Sequence, residues 1–248
     1  MTTATGVEQA TSSFDARFLC INSAYSNAKT SYDANANVDV YSKQLLSLNT
    51  IAKSLTDFRM STTTHKQRTY LALGDSMSID QYTGVKGGGA VSQFYRMLGD
   101  SWKLDDRSSD MNRMRYVPTD AHGDVITVTI GGNDLIADLQ RYLDEGPESF
   151  AQEHLALLQS IRQTNPGAIF IVGNVYAPQS PLPELMLRSL DAANDAIADN
   201  IQAAGALLAD IRGSFQGNER EYLCYDIEPS HKGATVIASL FYDAYRSV

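Results

Sequence analysis

Two serines lie just after an apolar run in the first third of the chain. The segment YLALGDSMSIDQY, Tyr70 to Tyr82, contains Gly74-Asp75-Ser76, and Ser78 follows two residues later. A serine hydroxyl is a poor nucleophile unless a base removes its proton as it attacks. A Gly-Asp-Ser sequence is also ordinary turn chemistry. The segment alone therefore does not decide whether either serine reacts.

A possible base lies near the C-terminus, in the segment YDIEPSHKGATVIASL. It contains Glu228 and, three residues later, His231, with Pro229 stiffening the loop between them. A carboxylate that accepts a hydrogen bond from one ring nitrogen fixes the tautomer that leaves the other nitrogen free to take a proton. The loop therefore suits a base and its orienting partner. A helix cap followed by a partly exposed histidine would have the same pattern.

The other three histidines do not suggest a metal site. His65 lies in a linker, His122 lies in the turn TDAHGD, and His154 is expected on the surface of an amphipathic helix. None pairs with another histidine at a metal-ligand spacing. We therefore expect neither a metal nor a cofactor.

The elements that must position these residues begin at Thr69. Strand-like apolar runs there alternate with helical patterns. The predicted strands are TYLALG, WKLDD, DVITVTIGG, AIFIVGNVYA and ALLADI, and the predicted helices span residues 90–98, 135–143, 149–163 and 184–204, with a last helix after His231. Near-continuous apolar strands separated by helices indicate a parallel sheet covered on both faces. Right-handed crossovers then give an α/β fold, a three-layer α/β/α sandwich.

Polar residues follow three of these strands at the point where each strand ends. Ser76 follows the first strand, Asn133 and Asp134 follow DVITVTIGG, and Asn174 follows AIFIVG. Ligands in such sheets bind outside the carboxyl ends of the strands. Polar strand ends and helix caps are common in any protein, but this pattern places the candidate residues at one edge of the sheet.

The first 68 residues differ from the rest in composition and charge. They are rich in Ser, Thr, Asn and Ala until about Val40. Apolar residues then recur at helical spacing from Tyr41 to Phe58, before the linker STTTHKQ. This part carries seven basic and five acidic residues, whereas the remainder carries 13 basic and 24 acidic residues. We predict an N-terminal extension, residues 1–68, followed by one domain, residues 69–248. The charge difference favours either solubility or docking of the extension on the acidic domain.

Composition excludes several classes of protein. The chain has 248 residues, 43% of them hydrophobic, and a net charge of −9, which argues against a nucleic-acid partner. No apolar run approaches the roughly 18 residues needed to span a bilayer. The N-terminus lacks the pattern of a secretory signal, which favours a cytoplasmic location, although a secreted mature form would have the same appearance. Cys20 and Cys224 do not make a disulfide framework. The sequence does not indicate an oligomeric state.

Three motifs, in order, resemble those of the SGNH/GDSL hydrolase superfamily. They are GDS at 74–76, GGND at 131–134, and an acid-x-x-His pattern at 228–231. The flanking sequences ALGDSMSID, VTIGGNDL, GNVYAP and IEPSHKGA are similar to those of bacterial esterase-type members. The resemblance covers about Thr69 to Val248. It implies a flavodoxin-like α/β/α fold and hydrolysis of esters, thioesters or related acyl groups.

The resemblance also implies a role for each matching residue. Ser76 would be the nucleophile, His231 its base and Glu228 the acid. The side-chain amide of Asn133 and the backbone N–H of Ser76 would donate to the oxyanion. The family usually has Asp at the acid position, so Glu228 departs from the pattern, and Asp226 is a rival with the wrong spacing.

A second departure concerns the oxyanion hole. The family has a glycine between GDS and GGND whose backbone N–H joins the hole, and the best local match, DDRSSDM, places Arg107 there. A backbone N–H survives that exchange. The glycine run GVKGGGA, Gly84 to Ala90, supplies other glycines. It lacks the P-loop and dinucleotide patterns, and we predict a flexible lip before a helix.

We therefore expect a serine acyl-hydrolase that acts on a small acyl ester. Met77, Tyr82 and Tyr176 are candidate walls of its substrate pocket, together with Ile79, Pro178 and the turn Pro181 to Pro183. Two alternatives remain. One is a non-catalytic flavodoxin-like domain that binds a nucleotide or peptide, and the other is a degenerate hydrolase in which Arg107 disrupts the oxyanion hole.

Overall fold

A computed structural model describes residues 67–248, together with Thr50 and Lys53. The chain divides into two units, Met1–His65 and Lys66–Val248, and the second is described below. Apart from Thr50 and Lys53, the predicted helix from Tyr41 to Phe58 and the linker that follows it lie outside the described residues. The prediction about the N-terminal extension therefore stays a prediction.

Five parallel strands form the central sheet of the second unit. They are β1 (Arg68–Gly74), β2 (Trp102–Asp106), β3 (Val125–Thr129), β4 (Ile169–Gly173) and β5 (Leu207–Ala209), in the spatial order β2-β1-β3-β4-β5. This order is that of the flavodoxin-like doubly wound fold. The register pairs Gly74 with Thr129, Thr129 with Gly173, and Gly173 with Ala209. Four strands thus end in one row, and the residues that follow them share one edge of the sheet.

Eight α-helices surround or follow this sheet in residues 67–248. They are α1 (Ala90–Leu98), α2 (Gly132–Ala137), α3 (Leu139–Glu145), α4 (Pro147–Thr164), α5 (Glu184–Ala203), α6 (Ile211–Phe215), α7 (Glu219–Tyr222) and α8 (His231–Arg246). Short 3-10 turns occur at Gln81–Thr83 and Met114–Tyr116. No helix of the described unit is long and apolar enough to cross a membrane.

Side chains alternate between the two faces of the sheet and make two separate cores. Along β1, Leu71 and Leu73 pack in a core with residues of α4 and α5. Tyr70 and Ala72 face the other way, into a core that contains Phe94 of α1 and residues of α8. This alternation follows the two-residue period of a strand. It confirms the predicted three-layer α/β/α sandwich, with helices on both faces.

Two local predictions were wrong. The predicted helix at 135–143 is two short helices, α2 and α3, which meet at Asp138. His154 was expected on the surface of its helix, but it is fully buried. Its ring stacks on Phe150 at 6.0 Å between centroids, and its Nδ1 lies 3.3 Å from the side-chain nitrogen of Asn200. These partners come from packing between helices, which the sequence of one helix does not report.

A small antiparallel ribbon precedes α8. Its strands are β6 (Leu223–Cys224) and β7 (Glu228–Pro229). The turn between them includes Tyr225 and Asp226, both with positive φ, 49° and 74°. Strands of two residues are too short for periodicity to predict. The ribbon matters because it holds Glu228.

Candidate active site

The end of β1 presents Ser76 through a tightly packed turn. A Cβ placed on Gly74 would lie 2.2 Å from Thr129 Oγ1, so only glycine fits beside β3 here. The backbone N–H of Asp75 then donates to the carbonyl of Thr129 at 3.0 Å. The Asp75 carboxyl accepts a hydrogen bond from the N–H of Met77 at 3.0 Å. The turn around Ser76 is thus held on both sides.

The two serines of this turn have different surroundings. Ser78 is 1% exposed, and its hydroxyl lies 2.9 Å from Thr129 Oγ1 in a buried hydrogen bond. Ser76 is half-buried and lines an open cleft. Ser78 therefore packs the strand ends together, whereas Ser76 is the serine that a substrate can reach.

A chain of hydrogen bonds links the ends of β1 and β3. Gly131, with φ of 118°, makes the turn from β3 into α2, which places Asn133 on the same cleft as Ser76. Asn133 Nδ2 donates to the carbonyl of Asn112 at 3.0 Å. Asn112 Nδ2 in turn donates to the carbonyl of Gly74 at 3.0 Å. Because a side-chain amide has two N–H groups, Asn133 keeps one for a ligand.

Asp134 anchors the loop that contains Asn112. Its buried carboxylate accepts hydrogen bonds from the N–H of Met114 at 3.1 Å and from Arg113 Nε at 3.3 Å. The Arg113 guanidinium also pairs with Asp138. Burial raises the pKa of Asp134, while Met114 and Arg113 lower it in part. Asn112 and the Arg113–Asp134 pair were missed from the sequence, because their role is visible only when residues far apart in the chain meet.

The structure corrects the prediction for Arg107. Its backbone N–H donates to the carbonyl of Ala72 in β1 at 2.9 Å. Its side chain pairs with Asp105 at 3.1 Å. The backbone donor that the oxyanion hole would need is thus already used by the sheet, and the assignment of Arg107 to that hole is wrong. The assignment failed because DDRSSDM matches the sequence around the family glycine only loosely.

Glu228 lies beside Ser76. It is 9% exposed, and a hydrogen bond from the Ser76 side chain favours its charged form. Burial and the charge of Asp110 oppose this, and the pKa of Glu228 is raised overall. Its Oε2 is buried without a hydrogen-bond partner. The structure therefore places the predicted acid beside the predicted nucleophile.

His231 lies in a different environment. It is the first residue of α8, is exposed, and follows the helix cap Ser230, whose hydroxyl accepts a hydrogen bond from the N–H of Gly233 at 3.2 Å. A Cβ placed on Gly88 would meet His231 Cδ2 at 3.0 Å, so the ring rests against the glycine run. Within residues 67–248, no hydrogen bond joins the His231 ring to Ser76 or Glu228.

Asp80 stabilises the glycine run beside His231 through hydrogen bonds. The Asp80 carboxylate accepts hydrogen bonds from the N–H groups of Gly87 at 2.7 Å and Gly89 at 2.8 Å. Gln93 of α1 donates to the carbonyl of Gly88 at 2.6 Å. The run is therefore a hydrogen-bonded loop that makes room for the His231 ring.

Acidic groups surround the nucleophile. Burial, the largest cause, and the charges of Glu228 and Asp134 together raise the pKa of Asp75 to about 8, although the hydrogen bond from the Met77 N–H lowers it in part. Asp75 is thus largely protonated at neutral pH. A neutral Asp75 removes one negative charge from a region where an oxyanion would have to form.

The cleft beside Ser76 is mostly apolar. Its volume is about 210 Å³. Besides Asp75, Ser76, Gly132, Asn133 and Ser189, its lining consists of Met77, Leu135, Ile136, Leu139, Val175, Tyr176, Pro178, Leu182, Met186, Leu190 and Ile227. Met77 and Tyr176 are thus in the wall, as predicted. Tyr82 is not, and its hydroxyl donates instead to Asp110 at 2.7 Å.

A second cavity adjoins this cleft between α2–α3 and α5. Its volume is about 200 Å³, and it shares Leu135, Leu139 and Ser189 with the first. These three side chains therefore stand between the two spaces. No group of three or more His, Cys, Asp or Glu side chains in residues 67–248 is arranged to hold a metal ion.

A family model for the GDSL-like lipase/acylhydrolase family matches residues 72–236, which is most of the chain. The chain belongs to this family. This GDSL-family protein is therefore a hydrolase of the ester-cleaving type, as the motifs implied, and the matched range spans Ser76, Asn133, Glu228 and His231. No curated protein sequence matched the chain.

Solved structures support the fold of this GDSL-family protein. A protein from Parabacteroides merdae, described as a GDSL-like lipase, is 15% identical with a TM-score of 0.62, over 72% of this chain and 95% of the other. A lipase from a goat rumen metagenome is 23% identical with a TM-score of 0.60, over 71% and 97%. An acetylxylan esterase from Geobacillus stearothermophilus, a catalytic mutant, is 14% identical with a TM-score of 0.57, over 71% and 93%.

Proposed function

We propose that this protein hydrolyses carboxylic esters of apolar acyl groups, with Ser76 as the nucleophile. The observation that carries the proposal is the cleft, because Ser76 and Asn133 line the same apolar space at the carboxyl ends of β1 and β3. Ligands in open α/β sheets bind at such an edge. An apolar cleft with a few convergent polar groups is the usual form of a small-molecule site.

In the proposed reaction, Ser76 Oγ attacks the ester carbonyl and forms a tetrahedral intermediate. The free N–H of the Asn133 amide and the backbone N–H of Ser76 stabilise its oxyanion. Collapse expels the alcohol and leaves an acyl-Ser76 intermediate, which water hydrolyses in a second half-reaction. The base comes from the segment 228–231, where the family pattern assigns the role to His231 with Glu228 as its acid.

The acyl group occupies the apolar cleft. An apolar cavity of about 150 Å³ holds a six-carbon ring such as benzene, so a cleft of about 210 Å³ suits an acyl chain of about eight carbons. This favours medium-chain esters over acetyl groups. A thioester presents the same carbonyl and acyl chain, and the proposal includes it.

The experiment compares hydrolysis of p-nitrophenyl octanoate by the wild type, Ser76→Ala and Ser78→Ala. We expect Ser76→Ala to lose at least about 10³-fold in kcat, whereas Ser78→Ala keeps measurable turnover while losing thermal stability. Full activity in Ser76→Ala would refute the proposed nucleophile. A wild type that hydrolyses neither esters nor thioesters would favour a non-catalytic binding domain.

A further inference from the structure

We propose that Asn112 is a positioning residue, which fixes the side-chain amide of Asn133 so that its nitrogen, and not its oxygen, faces the oxyanion. This rests on the proposed function, because Asn133 is an oxyanion donor of that reaction. Asn112 is buried and lies outside the lining of the cleft, whereas Asn133 is part of that lining. Asn112 therefore acts on the substrate only through Asn133.

The Asn112 carbonyl decides which end of the Asn133 amide faces the cleft. A half-turn of a side-chain amide exchanges its oxygen, an acceptor, with its nitrogen, which has two N–H donors. Asn133 Nδ2 donates one N–H to the Asn112 carbonyl at 3.0 Å, and the second N–H of the same nitrogen stays available. After a half-turn, two acceptor oxygens would face each other, and the oxyanion would meet an oxygen. The carbonyl therefore selects the orientation that can stabilise negative charge.

The side chain of Asn112 holds this carbonyl in place. Its Nδ2 donates to the Gly74 carbonyl at 3.0 Å, and its Oδ1 accepts a hydrogen bond from the N–H of Arg113 at 3.0 Å. Both ends of the buried amide are thus used. Gly74 comes two residues before Ser76 in the same turn. Asn112 therefore connects the turn of the nucleophile to the amide of Asn133.

The loop that contains Asn112 depends on such ties. Met111 has a φ of 57° and is 72% exposed, so its backbone adopts a conformation that is uncommon outside glycine and its side chain contributes little packing. The N–H of Asn112 donates to the carbonyl of Ser109 at 3.3 Å, and beyond Asn112 the N–H of Met114 donates to Asp134 at 3.1 Å. The Asn112 side chain is the tie on the residue whose carbonyl Asn133 uses.

Replacement of Asn112 by alanine keeps the backbone carbonyl and the Asn133 side chain but removes the tie to Gly74. Loss of a complete oxyanion donor costs on the order of 10²–10³ in kcat. A donor that is present but less well placed loses part of this, so we expect Asn112→Ala to lower kcat by about 10- to 100-fold. KM should stay within about twofold, because the donor acts mainly on the charge that forms in the transition state.

The test is a double-mutant cycle between Asn112→Ala and Asn133→Ala, with kcat and KM for p-nitrophenyl octanoate. If Asn112 acts through Asn133, its replacement lowers kcat by about 10- to 100-fold in the wild-type background and by less than about threefold in the Asn133→Ala background. A merely structural role would lower activity by the same factor in both backgrounds. Asn112→Ser, whose hydroxyl is one bond shorter than the amide, repeats the cycle if Asn112→Ala does not fold.

Asn165 provides a matched control at the opposite edge of the sheet. It is also buried, its Nδ2 donates to the carbonyl of Ala121 at 2.9 Å, and its Oδ1 accepts a hydrogen bond from the N–H of Gly123 at 3.0 Å. These contacts lie before the start of β3, far from the cleft. Asn165→Ala should therefore lose stability in urea unfolding much as Asn112→Ala does, but keep kcat within about twofold of the wild type.

Three results would overturn the inference while leaving the proposed function intact. They are a kcat of Asn112→Ala within twofold of the wild type, an equal effect of this change in both backgrounds, and an equal loss of kcat in Asn165→Ala. A wild type without ester turnover, or full activity in Asn133→Ala, would instead overturn the proposed reaction and the inference with it. An active wild type that is impaired by Asn133→Ala separates the two cases.

Discussion

The size of the cleft predicts a break in acyl-chain preference. Burial of each methylene contributes about 0.8 kcal/mol, which corresponds to up to about fourfold in kcat/KM per carbon when the gain is realised in the transition state. The cleft of about 210 Å³ accommodates about eight carbons by comparison with a benzene-sized cavity. We therefore expect kcat/KM to rise from acetyl to octanoyl, by at most about 5 kcal/mol over six methylenes, and then to level off.

The assay is a series of p-nitrophenyl esters from two to twelve carbons, kept below the micellar range. The residues that separate the two cavities allow a test variant and a matched control to be chosen. Leu139 lines both cavities, whereas Leu143 lines only the second. Leu139→Ala should connect the two spaces and move the break to longer chains, and Leu143→Ala should leave it near eight carbons.

Two results would refute this reasoning. A preference for acetyl over octanoyl would show that the cleft does not hold the acyl chain. An identical break in the wild type and Leu139→Ala, in the presence of full activity, would show that the second cavity is not connected to the acyl path.

Three further predictions follow from other parts of the structure. Asn133→Ala should lower kcat on the order of 10²–10³ with little change in KM, because it removes an oxyanion donor; steady-state kinetics would contradict this if KM alone changed. Arg107→Ala should keep activity within about twofold, since the Arg107 backbone donates to β1 and its side chain pairs with Asp105 near the surface; a loss of 10²-fold would restore it to the site. Burial lowers the pKa of His154 from 6.5 to about 4. Between these two pH values the His154 ring is therefore protonated in the unfolded chain and neutral in the folded chain. The stability that neutral His154 contributes should be complete above pH 6.5 and fall by about 3 kcal/mol as the pH drops to 4; in urea unfolding, the difference between the wild type and His154→Phe should change by this amount, whereas the difference between the wild type and the exposed-site control His122→Gln should stay constant.

The architecture was predictable because its signals are local. The apolar runs that end at Gly74 and Gly132 gave β1 and β3, and the predicted bounds of the helix at 90–98 match α1. Because both faces of the sheet are buried, the strands are continuous apolar runs. A search for alternating apolar and polar residues would therefore not find them. The order of the strands agrees with the flavodoxin-like fold that the family resemblance implied.

The interior of the site was predictable only in part. Motif order led to Ser76 and Asn133, and both line the cleft. The motif did not show that Glu228 would lie beside Ser76 while the His231 ring lies against Gly88. That outcome depends on a ribbon of two-residue strands and on a turn with two residues at positive φ, and neither has a periodic signal.

The errors in the predicted site arose where sequence matching could not report the three-dimensional arrangement of the residues. Arg107 was assigned by a loose local resemblance, but hydrogen bonding to β1 decides where its N–H points. Asn112, which links Gly74 to Asn133, had no motif at all, because a bridging role requires three segments to meet in space.

The central claim is that Ser76 is the nucleophile of an ester hydrolase. Labelling with a fluorophosphonate, followed by peptide mass spectrometry, tests it most directly because the adduct stays on the attacking atom. The account predicts one adduct per chain, on Ser76, retained in Ser78→Ala and absent from Ser76→Ala. An adduct on another residue, or undiminished labelling of Ser76→Ala, would contradict it.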